Sequence, residues 1–140
     1  MKILIDTNVY LELFLKRDNY SLVKEMFYLA YKKKNQTFIT SQSLRDIEYV
    51  VKRYYHDSNI SKMLQHKAYE ITSKVISISN DTAIEALFSD MRDYEDALQI
   101  LACQEYCLDG LITLNKKDFL NSDIPVFTPK EICDLWNSNN

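Results

Sequence analysis

At four places in this chain acidic residues fall where an apolar run stops or a helical pattern starts. Asp6 ends the run Ile3-Leu4-Ile5, and Asp46 lies in the first turns of the pattern that follows Thr37-Phe38-Ile39. Asp93 and Asp96 open a later pattern, and Asp118 follows Leu111-Ile112-Thr113-Leu114. Each acid has a structural duty open to it. Asp6 could cap the helix that Thr7-Asn8 lead into, and Ser43 to Asp46 and Asp93 to Asp96 both fit a cap with an acid three places on. Asn115 to Asp118 could be a polar turn. Taken together they point to another chemistry. Asp93 and Asp96 share one helix face, and a parallel sheet gathers its strand ends on one edge. Two carboxylates about 4 Å apart repel by roughly 4 kcal/mol at an effective dielectric near 20. A divalent cation relieves that repulsion, and a set of oxygen donors alone selects Mg²⁺ or Mn²⁺ over zinc. Such ions activate a water and stabilise the charge on a phosphate being displaced.

The elements needed to position these acids are legible in the periodicity. Ile3 to Ile5 shows no polar alternation, as expected of a central strand buried on both faces. Val9 to Lys16 reads as a short helix. Tyr20 to Lys34 is an amphipathic one with Leu22, Val23, Met26, Phe27, Ala30 and Tyr31 inside. Thr37 to Ile39 is a strand, after which Thr40 or Ser41 caps a helix to about Tyr55 with Leu44, Ile47, Val50, Val51 and Tyr54 on its inner stripe. Asp57 to Ser61 reads as a turn and Lys62 to Ser73 as a helix. Val75 to Ile78 is a third strand, and Asn80 or Asp81 caps a helix through Phe88. The next helix runs from about Asp93 to Tyr106 and stops at Gly110 in a left-handed turn. Leu111 to Leu114 and Val126-Phe127 are the last strands. Thr128-Pro129-Lys130-Glu131 carries cap, first-turn proline and capping-box acid, and Asn137 to Asn140 is a frayed tail. Alternating strands and helices give an α/β fold, a three-layer α/β/α sandwich on a mostly parallel central sheet. Residues 1–140 form one domain, without repeat or linker.

Composition narrows the chemistry. With 46% apolar residues over 140 positions, the chain can bury one well-packed core. No apolar stretch approaches the roughly 20 residues of a membrane span, and the N-terminal run lacks the features of a signal peptide. Three cysteines, Cys103, Cys107 and Cys133, cannot all pair, which fits a reducing cytoplasm. They have no C-x-x-C spacing and read as small core residues. The single glycine leaves no room for a Gly-rich phosphate loop or a G-x-S-x-G elbow. His56 and His66 lie in a polar stretch away from the strand ends, so neither suggests a general base or metal ligand. A net charge of −3 argues against bulk electrostatic binding of nucleic acid. Local basic strips stay open at Lys16-Arg17, Lys32 to Lys34, Lys52-Arg53 and Lys116-Lys117, each of which could equally be a solvated helix end. Most of the ten tyrosines read as half-buried packing, with Tyr10 and Tyr49 nearest the acids.

The segments ILIDTNVYLE, ITSQSLRDIEYVVKR, DYEDALQILAC and LITLNKKDF followed by IPVFTPKE resemble a PIN domain, the metal-dependent ribonuclease fold of VapC-type toxins. The order and spacing of these segments match over nearly the whole chain. The resemblance places the family's first acid on Asp6, with Thr7 and Asn8 as its usual neighbours. It places the second on Asp46, with Glu48 as rival, and the third on Asp96, with Asp93 accessory. The fourth position is open between Asn115 and Asp118, and Thr113 matches the threonine that faces the site. It implies an Mg²⁺- or Mn²⁺-dependent endoribonuclease, an antitoxin segment blocking the cleft, a homodimer, and a cytoplasmic setting away from membranes. Two other classes remain for comparison. One is a PIN-like binding module without catalysis. The other is a receiver-type signalling domain, which would want an acidic pair after the first strand and an aspartate after the third, where this chain has Asp6-Thr7-Asn8 and Ser79-Asn80.

Overall fold

The computed structural model of the protein describes residues 1–139. In chain order its elements are β1 (Lys2–Ile5), α1 (Thr7–Phe14), α2 (Tyr20–Lys32), β2 (Gln36–Thr40), α3 (Ser41–Tyr55), α4 (Ser58–Glu70) and β3 (Lys74–Ile76). There follow α5 (Asn80–Leu87), α6 (Tyr94–Glu105), β4 (Gly110–Ile112), a 3-10 turn over Lys116–Phe119, β5 (Val126–Phe127) and α7 (Pro129–Ser138). The sheet has five strands in the order β3-β2-β1-β4-β5. Every pairing is parallel, so the sheet is wholly rather than mostly parallel.

Alternate residues of the central strands feed opposite cores, as the pleat requires. Ile3, Ile5, Ile39 and Ile112 pack with residues of α1, α2, α3 and α7, among them Val9, Met26, Ile47 and Trp136. Leu4, Phe38, Ile76 and Leu111 pack on the other face with Ile100 and Cys103 of α6. Burial on both faces explains why β1 shows no polar alternation. It also fixes the carboxyl end of β1 in the middle of the sheet, between β2 and β4.

Caps set the helix starts. The Thr40 hydroxyl accepts from the Ser43 amide, which makes Thr40 the cap of α3 and removes Ser43 from that duty. Asp57 accepts from the amides of Asn59 and Ile60, so α4 begins at Ser58 and the expected turn does not form. Ser79, not Asn80 or Asp81, caps α5. At α7 the capping box of Thr128 and Glu131, with Pro129 in the first turn, is complete. That helix runs to Ser138 rather than fraying from Asn137, and Asn140 lies outside the described residues.

Gly110 does not end a helix. The chain leaves α6 through Cys107 at φ 52, with the Leu108 amide bonding back to the Cys103 carbonyl at 2.9 Å. Gly110 opens β4, where a Cβ would come within 2.7 Å of the Pro125 carbonyl oxygen, so the glycine is needed for close strand approach. Cys103 and Cys133 are buried core residues as expected, but Cys107 is exposed. The tyrosines also depart from expectation. Tyr28, Tyr31, Tyr49, Tyr54, Tyr69 and Tyr94 are exposed, because helical spacing alone does not tell the edge of an apolar stripe from its centre. No helix among the described residues is long and apolar enough to cross a membrane.

Candidate acid cleft

Asp6 occupies the cap position of α1, yet its carboxylate makes no capping hydrogen bond. The side chain is nearly buried, at 5% exposure, and is held by other side chains. Thr113 Oγ1 donates to Oδ2 at 2.8 Å and Gln99 Nε2 donates to Oδ1 at 3.2 Å. Thr113 is presented by the end of β4, whose Ile112 carbonyl also takes the Asp6 amide at 2.9 Å. Gln99 comes from α6, one turn beyond Glu95 and Asp96. Burial pushes the Asp6 carboxyl above its ordinary value. The Thr113, Thr7 and Gln99 donors oppose that shift and the Asp93 charge adds to it.

A chain of hydroxyls extends from this point. Ser43 Oγ accepts from Thr40 Oγ1 at 3.0 Å and from Gln99 Nε2 at 3.4 Å, which leaves its own proton for Thr7 Oγ1 at 2.7 Å. Thr7 Oγ1 then donates to Glu95 Oε1 at 3.3 Å. Asp46, half-buried on α3, shares a carboxyl hydrogen bond with Glu95. Partial burial, with the charges of Asp46 and Asp6, lifts the Glu95 carboxyl to about 7. Glu48 lies two residues past Asp46, about 200° around the helix at 100° per residue, and takes no part in this cluster.

Asp93 does cap α6, accepting from the Asp96 amide at 3.1 Å, so its bland reading holds. It still faces the cleft electrostatically. Partial burial raises Asp96 to about 6, helped by the charges of Asp93, Asp6 and Asp118. Asp118 stands exposed in the 3-10 turn, within that electrostatic reach. Asn115 begins the same turn, exposed, with no capping bond from its side chain, while its amide donates to Thr113 Oγ1 at 3.2 Å. Asn8 is half-buried in the first turn of α1. A groove of about 910 Å³ opens beside these acids, with Asp93, Asp96, Asp118 and Ile100 in its wall.

The structure therefore brings Asp6, Asp46, Asp93, Asp96 and Asp118 to one edge of the sheet. It adds Glu95, Gln99 and Ser43, which the sequence reading passed over. Glu95 was hidden by its place between two aspartates that already matched a pattern. Gln99 carried a usable signal, as a polar residue in the otherwise apolar run Ala97 to Cys103. Tyr10 leaves the candidate list. Its ring is fully buried against Phe14 and Phe27, and its hydroxyl meets Thr72 at 2.6 Å.

A family model described as PIN domain matches residues 2–117. The chain belongs to the PIN domain family. This overturns the receiver-type alternative. Among solved structures, a toxin–antitoxin complex from Klebsiella pneumoniae is 29% identical, with 91% of this chain and 97% of that chain covered at a TM-score of 0.64. VapBC2 from Rickettsia felis, bound to a DNA fragment from its promoter, is 16% identical, with coverage of 91% and 98% and a TM-score of 0.69. Mycobacterium tuberculosis VapC20, a sarcin–ricin-loop-cleaving toxin, is 13% identical, with coverage of 78% and 86% and a TM-score of 0.62. At those last two identities the likeness is one of fold. No curated protein matches the chain in sequence.

The donor set of this PIN domain fits a hard divalent cation. Its cleft offers carboxylate and hydroxyl oxygens, with no thiol or imidazole among the residues described above. The Gln99 Oε1 atom, beside Asp6, is buried without a hydrogen-bond partner. The carboxyls of Asp6, Glu95 and Asp96 are raised first by burial and then by the charges of neighbouring acids, both of which a cation would offset. Among the described residues, no three His, Cys, Asp or Glu side chains converge closely enough to form a ready-made cage. The acids surround the cleft instead of meeting at one point.

Proposed function

We propose that this PIN domain is an Mg²⁺- or Mn²⁺-dependent endoribonuclease and the toxin of a toxin–antitoxin pair. The observation that carries the proposal is Asp6. It is a buried carboxylate at the centre of the sheet edge, held by Thr113 and Gln99 instead of capping its helix. In this reading Asp6, Asp46 and Asp96 hold the ion, and Asp118 is the fourth acid. When bound, the ion supplies an activated water and neutralises charge on the phosphate. Thr113 and Gln99 fix the orientation of Asp6, the kind of outer support that tunes a ligand. Glu95, whose carboxyl partial burial and the Asp46 and Asp6 charges raise to about 7 in the metal-free cleft, would give up its proton as the ion binds. Asp93 keeps the first turn of α6 in place through its bond to the Asp96 amide, and Asn8 and Asn115 flank the cleft as polar lining.

An antitoxin partner is supported by the Klebsiella pneumoniae and Rickettsia felis structures, both of toxin–antitoxin complexes. Association of two copies of the chain and a cytoplasmic setting belong to the same proposal. The test is cleavage of labelled RNA by purified protein in Mg²⁺, in Mn²⁺ and in excess EDTA. Cleavage should appear with either metal and vanish with the chelator. Cleavage unchanged in EDTA would overturn the mechanism, and no cleavage in any metal would leave a PIN-fold binding module.

A further inference from the structure

We propose that the solvent face of α3 beyond Asp46 is a subsite for single-stranded RNA, with Tyr49 stacking a base and Arg53 holding a neighbouring phosphate. The subsite rests on the ribonuclease reading for its substrate class. Asp46, Tyr49 and Arg53 follow at intervals of three and four residues, so they form one stripe that climbs α3 away from the acids. At 1.5 Å per residue, Tyr49 stands about 4.5 Å and Arg53 about 10.5 Å along the axis from Asp46. Tyr49 is 56% exposed, and among the described residues no other aromatic ring packs against it.

Arg53 is already arranged around that ring. Its guanidinium carbon lies 5.5 Å from the ring centroid, and Nη1 donates to the Tyr49 hydroxyl at 2.7 Å. The remaining N–H groups of its five-donor fork have no partner among the described residues, and a fork held in place is suited to a phosphate. Arg45 and Lys52 flank the stripe, exposed and outside any ion pair among the described residues. The face therefore carries three cations and one open aromatic ring, while the chain as a whole is acidic, at −3.

An aromatic ring beside a cationic fork is what an unpaired nucleotide needs, because every base has a face to stack and every nucleotide a charge to neutralise. A duplex hides its base faces, so a stacking subsite selects single strands or loops. The other cation–ring pairs, Lys24 with Tyr20 and Lys32 with Tyr28, lie on α2 at 6.0 and 5.8 Å, without a fork or a neighbouring carboxylate of the cleft.

The experiment is fluorescence anisotropy with a short labelled single-stranded RNA and a duplex of equal length, at low salt, in EDTA and in Ca²⁺. Wild type, Tyr49→Ala, Tyr49→Phe, Arg53→Ala and the α2 control Lys24→Ala are compared, with circular dichroism to confirm each fold. Wild type should prefer the single strand. Tyr49→Ala should weaken it roughly tenfold, while Tyr49→Phe, which keeps the ring, should retain most of the binding. Arg53→Ala should weaken binding and lower the salt slope by about one contact. Lys24→Ala should bind as wild type does. No binding by wild type, no preference for single strands, or Tyr49→Ala binding like wild type would each overturn the subsite. Cleavage in Mg²⁺ is scored separately. Tyr49-dependent binding without cleavage leaves the subsite standing and removes the ribonuclease reading. Cleavage whose KM ignores Tyr49 removes the subsite alone.

Discussion

The two edges of the sheet use the same residue types for opposite ends. At the amino edge, Asp109 accepts the Lys2 amide at 2.7 Å, Asn35 Oδ1 accepts the N-terminal amine at 3.0 Å, and Ser73 Oγ accepts the Thr37 amide at 3.0 Å. Each side-chain acceptor there is matched to a donor fixed by the backbone. At the carboxyl edge, Asp6 makes no capping bond to α1 and is held chiefly by two side-chain donors, and Asp46 and Glu95 face each other. A carboxylate that takes a backbone amide lowers the energy of the fold directly. Carboxylates that face one another raise it, and are tolerable when something else supplies the positive charge. What distinguishes the edges is therefore the set of atoms each acid meets, and not where it sits relative to a strand.

The strongest way to break this contrast is by activity. Asp96→Asn should reduce metal-dependent cleavage by more than the roughly 10–100-fold that an outer partner of a metal ligand carries. Glu48→Gln, on the same helix as Asp46 but outside the cluster, should leave most of it. Single-turnover cleavage in Mg²⁺ reads both. If Glu48→Gln is as inactive as Asp96→Asn, the choice of Asp46 as the acid of α3 is wrong.

A smaller effect tests the supports. Thr113→Val and Gln99→Leu each remove a donor to Asp6, and should weaken Mn²⁺ binding by about tenfold in a calorimetric titration. Asp109→Ala, at the other edge, should leave that affinity unchanged. Gln99→Leu also removes the unpartnered Oε1 acceptor, an atom whose burial costs about 1–3 kcal/mol. That gain offsets the loss of the Nε2 donor to Asp6 and Ser43, so its stability should change little while its metal affinity falls. A parallel loss of both would make Gln99 a packing residue.

How much of this was legible in the sequence differs between fold and site. The strands and helices followed from period and turn chemistry, because β1 is apolar from Ile3 to Ile5 and Thr128 to Glu131 has every feature of a helix start. Gly110 was misassigned, since glycine serves both for left-handed turns and for close approach, and only the Pro125 carbonyl tells them apart. The acids at strand ends could be found because a parallel sheet gathers those ends. The links from Gln99 to Asp6 and from Ser43 to Thr7 could not be assigned, because they span 93 and 36 residues of sequence. Local pattern says nothing of such pairs. Tyr49 was visible as a residue near the acids, while its clasp by Arg53 needed the helix to be built.

Stability without metal should move in opposite directions at the two edges. Asp6→Asn keeps the shape and removes a buried charge, so the apo protein should gain about 1–2 kcal/mol, the scale of ordinary single-residue effects. Asp109→Ala exchanges the Lys2 amide's carboxylate acceptor for water and should lose about 1 kcal/mol. Added Mg²⁺ at about 100 times its dissociation constant should stabilise wild type by about 2.7 kcal/mol, and Asp6→Asn by clearly less. Thermal melts in EDTA and in Mg²⁺ read all three. An apo Asp6→Asn protein less stable than wild type would return Asp6 to structural duty.

The smallest expected effect is a pH dependence confined to the carboxyl edge. Burial and neighbouring charges raise Glu95 to about 7 and Asp96 to about 6, from ordinary values of 4.5 and 3.8, and Asp6 shifts the same way. Between about pH 4 and pH 7 these carboxyls therefore bind more protons in the folded chain than in the unfolded one. Their contribution to stability should fall as pH rises through that window and level off above it. Glu95 is exposed and Asp96 only half-buried, so solvent screens the effect and keeps it small. A bound cation replaces those protons, so metal affinity should rise across the same interval, and the loss of stability should shrink in Mg²⁺. The readout is a difference between variants, which isolates the carboxyl edge from the rest of the chain. Urea midpoints at pH 5 and pH 8 in EDTA should separate less for Glu95→Gln than for wild type, whereas Asp109→Ala should keep the wild-type separation. Equal separations for Glu95→Gln and wild type would mean that the carboxyl edge is not under electrostatic strain, and its difference from the amino edge would reduce to geometry.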